Sequence, residues 1–149
     1  MKAIIQRVSE AYVKVNSKQV SSINQGILCL LCVEETDSEK DIDYIVNKIS
    51  NLRIFPNSSG RFDKSLFDIG AELMLVSQFT LAANIDSGRR PSFSNAARPE
   101  KAKEYYERVC SLFRQDKIKV AQGVFGEHME VSSTNNGPVT IWIDSKKNS

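Results

Sequence analysis

Hydrophobic and polar residues alternate along much of the chain with the two-residue period of a β-strand. The alternating segments are rich in branched and aromatic residues, which favour strands. Together with one continuous apolar run, these segments predict strands at residues 2–8, 11–15, 19–23, 27–33, 72–81, 118–124, 129–133 and 136–144. Ser9 and Glu10 are expected to separate the first two strands, and residues 27–33 are apolar throughout, as in a strand buried on both faces.

Two segments show the three-to-four-residue spacing of an amphipathic helix instead. The first helix is predicted over about residues 38–52, behind a capping box formed by Thr36 and Glu39. The second begins at Arg98-Pro99-Glu100, where proline suits the first helical turn. Its predicted buried stripe is Ala102, Tyr105, Tyr106, Val109, Leu112 and Phe113.

The composition is that of a soluble globular protein, with 41% hydrophobic and 26% charged residues. A length of 149 residues suits one domain, so we expect a single domain over residues 1–149. The net charge of +2 is too small to indicate nucleic-acid binding by itself. We find no long apolar run and no signal peptide, and therefore expect a cytoplasmic protein without membrane association.

Sites for a metal or a cofactor are not predicted. Cys29 and Cys32 form a C-x-x-C pattern, but they lie inside the apolar 27–33 strand without a nearby histidine or a second such pair. We interpret them as buried small hydrophobic residues. The chain contains no P-loop and no G-x-G-x-x-G motif.

Conventional acid–base catalysts are sparse. His128 is the single histidine, and Ser77 is not part of a G-x-S-x-G motif. Ser77, Gln78 and Thr80 nevertheless present hydroxyl and amide groups where the 72–81 strand ends. A site built from main-chain donors would suit stabilisation of an oxyanion during acyl transfer.

Gly137-Pro138 begins the last predicted strand. Proline has no amide hydrogen and belongs at a strand's first residue, at an edge or in a bulge. Glycine leaves the neighbouring peptide groups uncovered. The pair is either a simple turn into the strand or a piece of bare backbone that is offered to a ligand, and the sequence leaves the isomer of the bond open.

Three segments together resemble the family of D-aminoacyl-tRNA deacylases, also called D-tyrosyl-tRNA deacylases. They are Ser77-Gln78-Phe79-Thr80-Leu81, Gly88-Arg89-Arg90-Pro91-Ser92-Phe93 and Asn136-Gly137-Pro138-Val139-Thr140. Ile5-Gln6-Arg7-Val8, Arg53-Ile54-Phe55 and Val124-Phe125-Gly126 with Met129 agree in order and spacing, so the resemblance covers essentially the whole chain. Two departures are Asn136, where the family often has aspartate, and Ala82-Ala83, where an aromatic residue is common.

The resemblance implies an α+β fold in which two antiparallel β-sheets form a partly closed barrel or sandwich, with two α-helices packed on one side. It implies a homodimeric hydrolase that binds the 3′-terminal adenosine of aminoacyl-tRNA and hydrolyses the ester of D-aminoacyl-tRNA, and also that of glycyl-tRNA mischarged on tRNA(Ala). Such an enzyme performs chiral proofreading, because a Gly-cisPro backbone motif rejects L-amino acids. No cofactor is implied.

Carried onto this chain, the resemblance assigns the catalytic positions to Ser77, Gln78, Phe79 and Thr80. Amides near Gln78 and Phe79 would hold the oxyanion, while a water molecule, positioned partly by the 2′-hydroxyl of the terminal adenosine, attacks in preference to Thr80. The substrate-binding positions are Gly137, Pro138, Arg7, Phe125 and Met129. Gly137 and Pro138 of one subunit would reach into the other subunit's site with the help of Arg7, and Phe125 and Met129 would pack on the adenine unless they serve the core.

Two other functions stay open at this stage. A non-enzymatic RNA-binding module would use Arg89, Arg90 and Phe93 of the polar loop at residues 83–97, although a plain solvated loop fits the same residues. A serine or threonine hydrolase of small esters would use Ser77 or Thr80 with His128.

Overall fold

The computed structural model describes residues 1–86 and 88–147. In these residues, eight strands and three α-helices follow one another, and one short 3-10 helix lies among them. They are β1 (Lys2–Val15), β2 (Lys18–Ile23), β3 (Gly26–Cys32), α1 (Glu39–Asn51), β4 (Phe55–Pro56), β5 (Phe62–Lys64), α2 (Leu66–Ile69), β6 (Glu72–Ser77), the 3-10 helix (Phe79–Ala82), α3 (Pro99–Gln115), β7 (Val120–Gln122) and β8 (Glu130–Asp144).

The principal sheet is organised around β1. One edge of this strand pairs first with β3, along Lys2–Val8, and then with β2, along Ala11–Val15. Its other edge pairs with β8 over nearly its whole length. These three pairings are antiparallel, whereas β3–β6 and β6–β7 are parallel. The resulting mixed sheet forms a nearly closed barrel, and β4 and β5 form a small second sheet.

Hydrophobic residues of β3 and β6 are buried on both faces of the sheet. Successive strand residues point to opposite sides. Cys29 and Leu75 accordingly belong to a large core cluster beneath α1 and α3, while Leu28 and Met74 belong to a smaller cluster on the other side. This double burial explains why the sequence of these two strands shows an apolar run in place of alternation.

The predicted α+β class with a partly closed barrel is confirmed. The two predicted helices are found as α1 and α3. The structure adds the one-turn helix α2, which is too short to show a period, and it adds the parallel pairings of β6.

Several predicted strand limits are wrong. Ser9 and Glu10 do not interrupt β1, because Glu10 pairs with Thr134 of β8 and the ladder continues across them. The predicted strands at 129–133 and 136–144 are one strand, β8, since both lie along β1. The predicted 72–81 strand ends at Ser77, where the 3-10 helix replaces it, and the predicted 118–124 strand keeps only Val120–Gln122.

A polar cluster joins the start of α1 to the end of β8. The capping box is formed by Ser38 and Asp41, and not by Thr36 and Glu39 as predicted. The Ser38 amide and hydroxyl donate to Asp41 Oδ2 at 2.8 and 2.9 Å, and Ser145 Oγ donates to Asp41 Oδ1 at 2.6 Å. Burial alone would raise the pKa of Asp41, but the hydrogen bonds from Lys146, Ser145 and Ser38 outweigh it and hold that pKa well below its usual value.

None of the helices in the two described ranges is long and apolar enough to cross a membrane.

Candidate active site

The turn after β6 exposes backbone amides next to polar side chains. The Gln78 amide donates to the Leu31 carbonyl at 2.8 Å, which is the last bond to β3 before the chain enters the 3-10 helix. The Phe79 and Thr80 amides then lie in the first turn of this helix, where amides have no partner within the helix. The Gln78 side-chain amide donates to Thr80 Oγ1. We call residues 77–80 the β6 turn.

A cavity of about 300 Å³ lies beside the β6 turn. Its lining is mostly apolar and includes Ser77, Gln78, Phe79, Ala97, Tyr106 and Phe125. The Tyr106 hydroxyl donates to the Leu75 carbonyl at 2.7 Å, and its ring centroid lies 5.8 Å from that of Phe125. Burial raises the pKa of Tyr106, so this hydroxyl is a fixed structural donor and not an acid or base near neutral pH.

Phe125 and Met129 have different positions relative to this cavity. Phe125 lies in its wall. Met129 turns back beneath the preceding segment, where its sulfur accepts a hydrogen bond from the Val124 amide at 3.3 Å, and it packs against the smaller core cluster. The Met129 side chain therefore supports the segment that carries Phe125.

Gly137 and Pro138 lie in a protrusion of β8. Gln6 pairs with Thr140 and Val8 pairs with Asn135, so residues 136–139 lie outside the ladder opposite Arg7, with residues 136–138 exposed and Val139 buried in the core. We call residues 136–139 the Gly-Pro loop. Its peptide bond between Gly137 and Pro138 is cis, and both residues are exposed.

Arg7 binds two carbonyl groups through its guanidinium fork. Its Nε donates to the Asn136 carbonyl at 2.7 Å, and its Nη1 donates to the Ile54 carbonyl at 2.6 Å. The guanidinium carbon also lies 5.3 Å from the centroid of the Phe62 ring. Arg7 thus joins the Gly-Pro loop to the chain that enters β4, which is the bracing geometry that a planar donor fork permits.

The structure brings some of the predicted site residues together and separates others. The β6 turn and Phe125 share one cavity. Gly137, Pro138 and Arg7 form a second group, and they do not line that cavity among the described residues of the chain. His128 is exposed in the segment between β7 and β8, and no contact between it and Ser77 or Thr80 occurs in the described part of the chain.

Backbone hydrogen bonds join two sides of the predicted 83–97 loop, of which Ser87 lies outside the described residues. Asn84 and Ser92 exchange two backbone hydrogen bonds, at 2.7 and 2.9 Å. Phe93 packs edge-on against Phe79 with ring centroids 5.0 Å apart, while Arg89 and Arg90 are exposed.

The three cysteines are free and buried. Burial is the main cause that raises the thiol pKa of Cys32 and of Cys110 to about 11. No group of residues suited to a metal ion occurs in the part of the chain that the structure describes.

Sequence reasoning missed part of the cavity wall. Leu31, Val33 and Ala97 come from β3, its end and the loop before α3, and nothing in their local pattern distinguishes them from core residues. Tyr106 was predicted only as part of the buried stripe of the second helix. The sequence held one signal of this role, because the hydroxyl of a buried tyrosine needs a hydrogen-bond partner.

The profile of the family described as D-Tyr-tRNA(Tyr) deacylase matches residues 4–144. The chain belongs to this family. The resemblance that the sequence motifs indicated is therefore confirmed. A relative in this family, the D-aminoacyl-tRNA deacylase of Kosmotoga olearia, is 51% identical over 147 residues, which cover 99% of each chain.

Two solved structures share the fold of this chain. The c-Myc DNA Unwinding Element Binding Protein is 38% identical and superposes with a TM-score of 0.91 over 97% of this chain and 98% of that chain. A structure described as a probable eukaryotic D-amino acid tRNA deacylase is 15% identical and superposes with a TM-score of 0.84 over 95% and 97% of the two chains. At that identity the second match shows a shared fold.

Proposed function

We propose that this protein hydrolyses the ester bond between a D-amino acid and the 3′-terminal adenosine of tRNA. The observation that carries the proposal is a mostly apolar cavity beside the β6 turn, whose Phe79 and Thr80 amides have no partner within the 3-10 helix. It occurs in a chain whose full-length relatives are named D-aminoacyl-tRNA deacylases. The cavity volume of about 300 Å³ suits a group of nucleoside or aminoacyl size.

The oxyanion of the reaction would be held by backbone amides of the β6 turn. The Gln78 amide already donates to Leu31, so the Phe79 and Thr80 amides are the better candidates. Loss of one such donor typically lowers the rate by about a hundredfold or more. Ser77 and the Gln78 side chain would fix the shape of the turn, since Gln78 donates to Thr80 Oγ1.

Water is the proposed nucleophile. Thr80 Oγ1 accepts a hydrogen bond from Gln78, and no base contacts it among the described residues, so its hydroxyl is not activated. The water oxygen attacks the ester carbonyl carbon, and the bond from that carbon to the 3′-oxygen then breaks. One proton of the water passes to the 3′-oxygen, and the 2′-hydroxyl of the adenosine helps to position the water.

Handedness would be sorted by the Gly-Pro loop of a second subunit. The loop is exposed and lies outside its own chain's cavity, which is consistent with a homodimer in which each loop serves the partner's site. Carbonyls of Gly137 and Pro138 would accept the α-ammonium of the substrate, and Arg7 would brace the loop through the preceding Asn136 carbonyl. The same backbone would clash with an L side chain and tolerate any D side chain, and glycine on tRNA(Ala) would pass as well.

The adenine would pack against Phe125, with Met129 as a support behind it. The proposal treats residues 1–149 as one deacylase domain. It also assigns the protein to the cytoplasm, where aminoacyl-tRNA is made and used.

Incubation with the D- and L-forms of one aminoacyl-tRNA tests the activity. We expect release of the D-amino acid and no acceleration for the L-form. Absence of ester loss with every D-form would overturn the proposal.

A mixed-dimer experiment tests the shared site. Ala97→Trp fills the cavity, and Gly137→Val distorts the loop. If loops act across the dimer, mixing and re-annealing the two inactive variants restores about a quarter of the parental activity, because half of the dimers are mixed and each has one intact site. No recovery would mean that each loop serves its own chain.

The RNA-binding alternative has one observation in its favour. Arg89 and Arg90 are exposed, and Phe93 of the same loop lies against Phe79 in the cavity wall. A binding module would hold uncharged tRNA tightly and leave the ester of D-aminoacyl-tRNA intact. Filter binding of uncharged tRNA, measured beside the hydrolysis assay, separates the two functions.

A further inference from the structure

The side chain of Asn135 closes the neck of the Gly-Pro loop. Its Oδ1 accepts a hydrogen bond from the Val139 amide at 2.7 Å. Its Nδ2 donates to the Val139 carbonyl at 3.3 Å and to Thr140 Oγ1 at 3.0 Å. The Asn135 side chain, just before the loop, therefore binds the backbone of the last loop residue, Val139, and the hydroxyl of the residue after it, Thr140.

Thr140 connects this neck to β1. Its Oγ1 accepts a second hydrogen bond from Gln6 Nε2 at 3.3 Å, and Gln6 is also its partner in the β1–β8 ladder. Gln6 and Arg7 are successive strand residues, whose side chains point to opposite faces of a sheet. The loop is thus held by Arg7 from one face and by the Gln6–Thr140–Asn135 chain of hydrogen bonds from the other.

These side-chain bonds stand where the strand ladder is interrupted. Residues 136–139 have no ladder partner on β1, and Asn136, Gly137 and Pro138 are exposed. Without Asn135, the Val139 amide would lose its bond, and the loop would be held only by the Arg7 bond to Asn136 and by the buried Val139 side chain. A wall that sorts mirror-image substrates has to hold its atoms to within about 0.5 Å, and a loop whose backbone keeps a single side-chain hydrogen bond moves more than that.

We propose that Asn135 and Thr140 are positioning residues that fix the Gly-Pro loop for the discrimination between D- and L-aminoacyl-tRNA. They do not touch the reacting atoms, and they act through the backbone at Val139. The proposal rests on the proposed function, because it assigns the selectivity of that same site to two side chains outside it.

The test measures kcat/KM for the D- and L-forms of one aminoacyl-tRNA and compares their ratio between variants. Asn135→Ala removes the three bonds of its side chain and should lower the D/L ratio by about tenfold or more. Thr140→Val removes the two bonds that Thr140 Oγ1 accepts, from Asn135 and Gln6, but keeps both bonds between Asn135 and Val139, so it should lower the ratio by about threefold to fivefold. Thr140→Ser keeps the oxygen and should restore the ratio to within about twofold of the parent. The double variant should lose less than the product of the two single effects, because both changes break the same bond.

Thr134→Val provides the matched control. Thr134 is exposed in the same strand and pairs with Glu10, outside the loop. The substitution is chemically the same as Thr140→Val and should leave the D/L ratio unchanged. An equal loss of selectivity in both variants would overturn the proposal, since it would point to a general weakening of β8.

Amide hydrogen exchange of Val139 gives a readout that does not depend on activity. Its exchange rate should rise by about tenfold or more in Asn135→Ala and stay near the parental rate in Thr134→Val.

The failure of this proposal can be told apart from the failure of the proposed function. If the parent does not hydrolyse D-aminoacyl-tRNA, the proposed function fails, but the exchange rate of Val139 still decides whether the two residues hold the loop. If Asn135→Ala does not fold, the Thr140→Val and Thr140→Ser pair decides alone. An unchanged D/L ratio in a folded, active Thr140→Val variant, or unchanged exchange at Val139, would overturn the proposal.

Discussion

Replacing Gly137 by alanine adds one methyl group at an exposed position of the Gly-Pro loop. The new Cβ would lie 2.7 Å from Val139 Cγ2, 2.8 Å from the Val139 backbone nitrogen and 3.3 Å from Arg7 Nη2. The Val139 side chain is branched and buried in the large core cluster, so it cannot simply turn away from the new methyl group. The contact with the backbone nitrogen can be relieved only by moving the loop, which carries the carbonyls proposed to bind the substrate.

The size of the effect follows from these contacts. Overpacking in a tightly packed site typically costs about 1–3 kcal/mol, and an exposed loop can relax outward, so we expect a loss near 1 kcal/mol in the free energy of unfolding. The same relaxation moves the proposed binding wall. A misplacement approaching 1 Å can lower the rate by about a hundredfold, so we expect kcat/KM for the D-substrate to fall by about tenfold or more and the D/L ratio to fall with it.

The assay combines hydrolysis of D- and L-aminoacyl-tRNA with urea unfolding. Gly70→Ala is a suitable control. Gly70 caps α2 at a φ of 61°, and nothing lies within 4 Å of its added Cβ. Alanine there should lower stability by about 1 kcal/mol through the backbone alone, with no change in kinetics.

One result would refute the reasoning. If Gly137→Ala retains the parental D/L ratio while its stability falls as much as that of Gly70→Ala, the Gly-Pro loop has no part in selecting handedness.

Three further outcomes are expected. Arg7→Lys keeps the charge but cannot hold the Asn136 and Ile54 carbonyls together, so kcat/KM for the D-substrate should fall by about tenfold while the fold is retained; parental kinetics would argue against the brace. Thr80→Ala should keep measurable turnover, because water is the proposed nucleophile; complete loss of activity, together with an acyl-enzyme trapped on Thr80 of the parent, would establish Thr80 as the nucleophile instead. Asp41→Asn should lower the free energy of unfolding by about 2 kcal/mol at pH 7. The folded pKa of Asp41 lies below its unfolded value of about 3.9, so the difference in stability between parent and variant should have its full size above about pH 4 and should shrink as the pH falls further. Urea titrations at several pH values measure this difference. A difference that does not depend on pH would contradict the ionic role of Asp41.

Local pattern was sufficient for elements whose burial is regular along the chain. The amphipathic spacing of residues such as Ile42, Ile45 and Ile49 located α1, because one face of that helix covers the sheet. The apolar run of β3 indicated a strand with both faces covered, and the core clusters on its two sides confirm that reading. The β6 turn was also visible as a motif, since its four residues are contiguous.

The hydrophobic pattern did not predict segments that are held in place by strand pairing and not by burial of side chains. Ser9 and Glu10 are exposed and polar, and nothing in the sequence shows that the backbone of β8 runs beside them. The join between the two halves of β8 was hidden in the same way, because the Gly-Pro loop looks like a turn until its ends are seen to lie on β1.

The sequence by itself determined the two long helices, most of the strands, the family and the candidate residues of the β6 turn and the Gly-Pro loop. Only the tertiary structure decided that Leu31, Ala97, Tyr106 and Phe125 enclose one cavity, and that Arg7 and Asn135 hold the loop from two sides. The physical reason is distance along the chain. A period or a motif records contacts between near neighbours, whereas a cavity wall or a brace joins residues that become neighbours only when the sheet has formed.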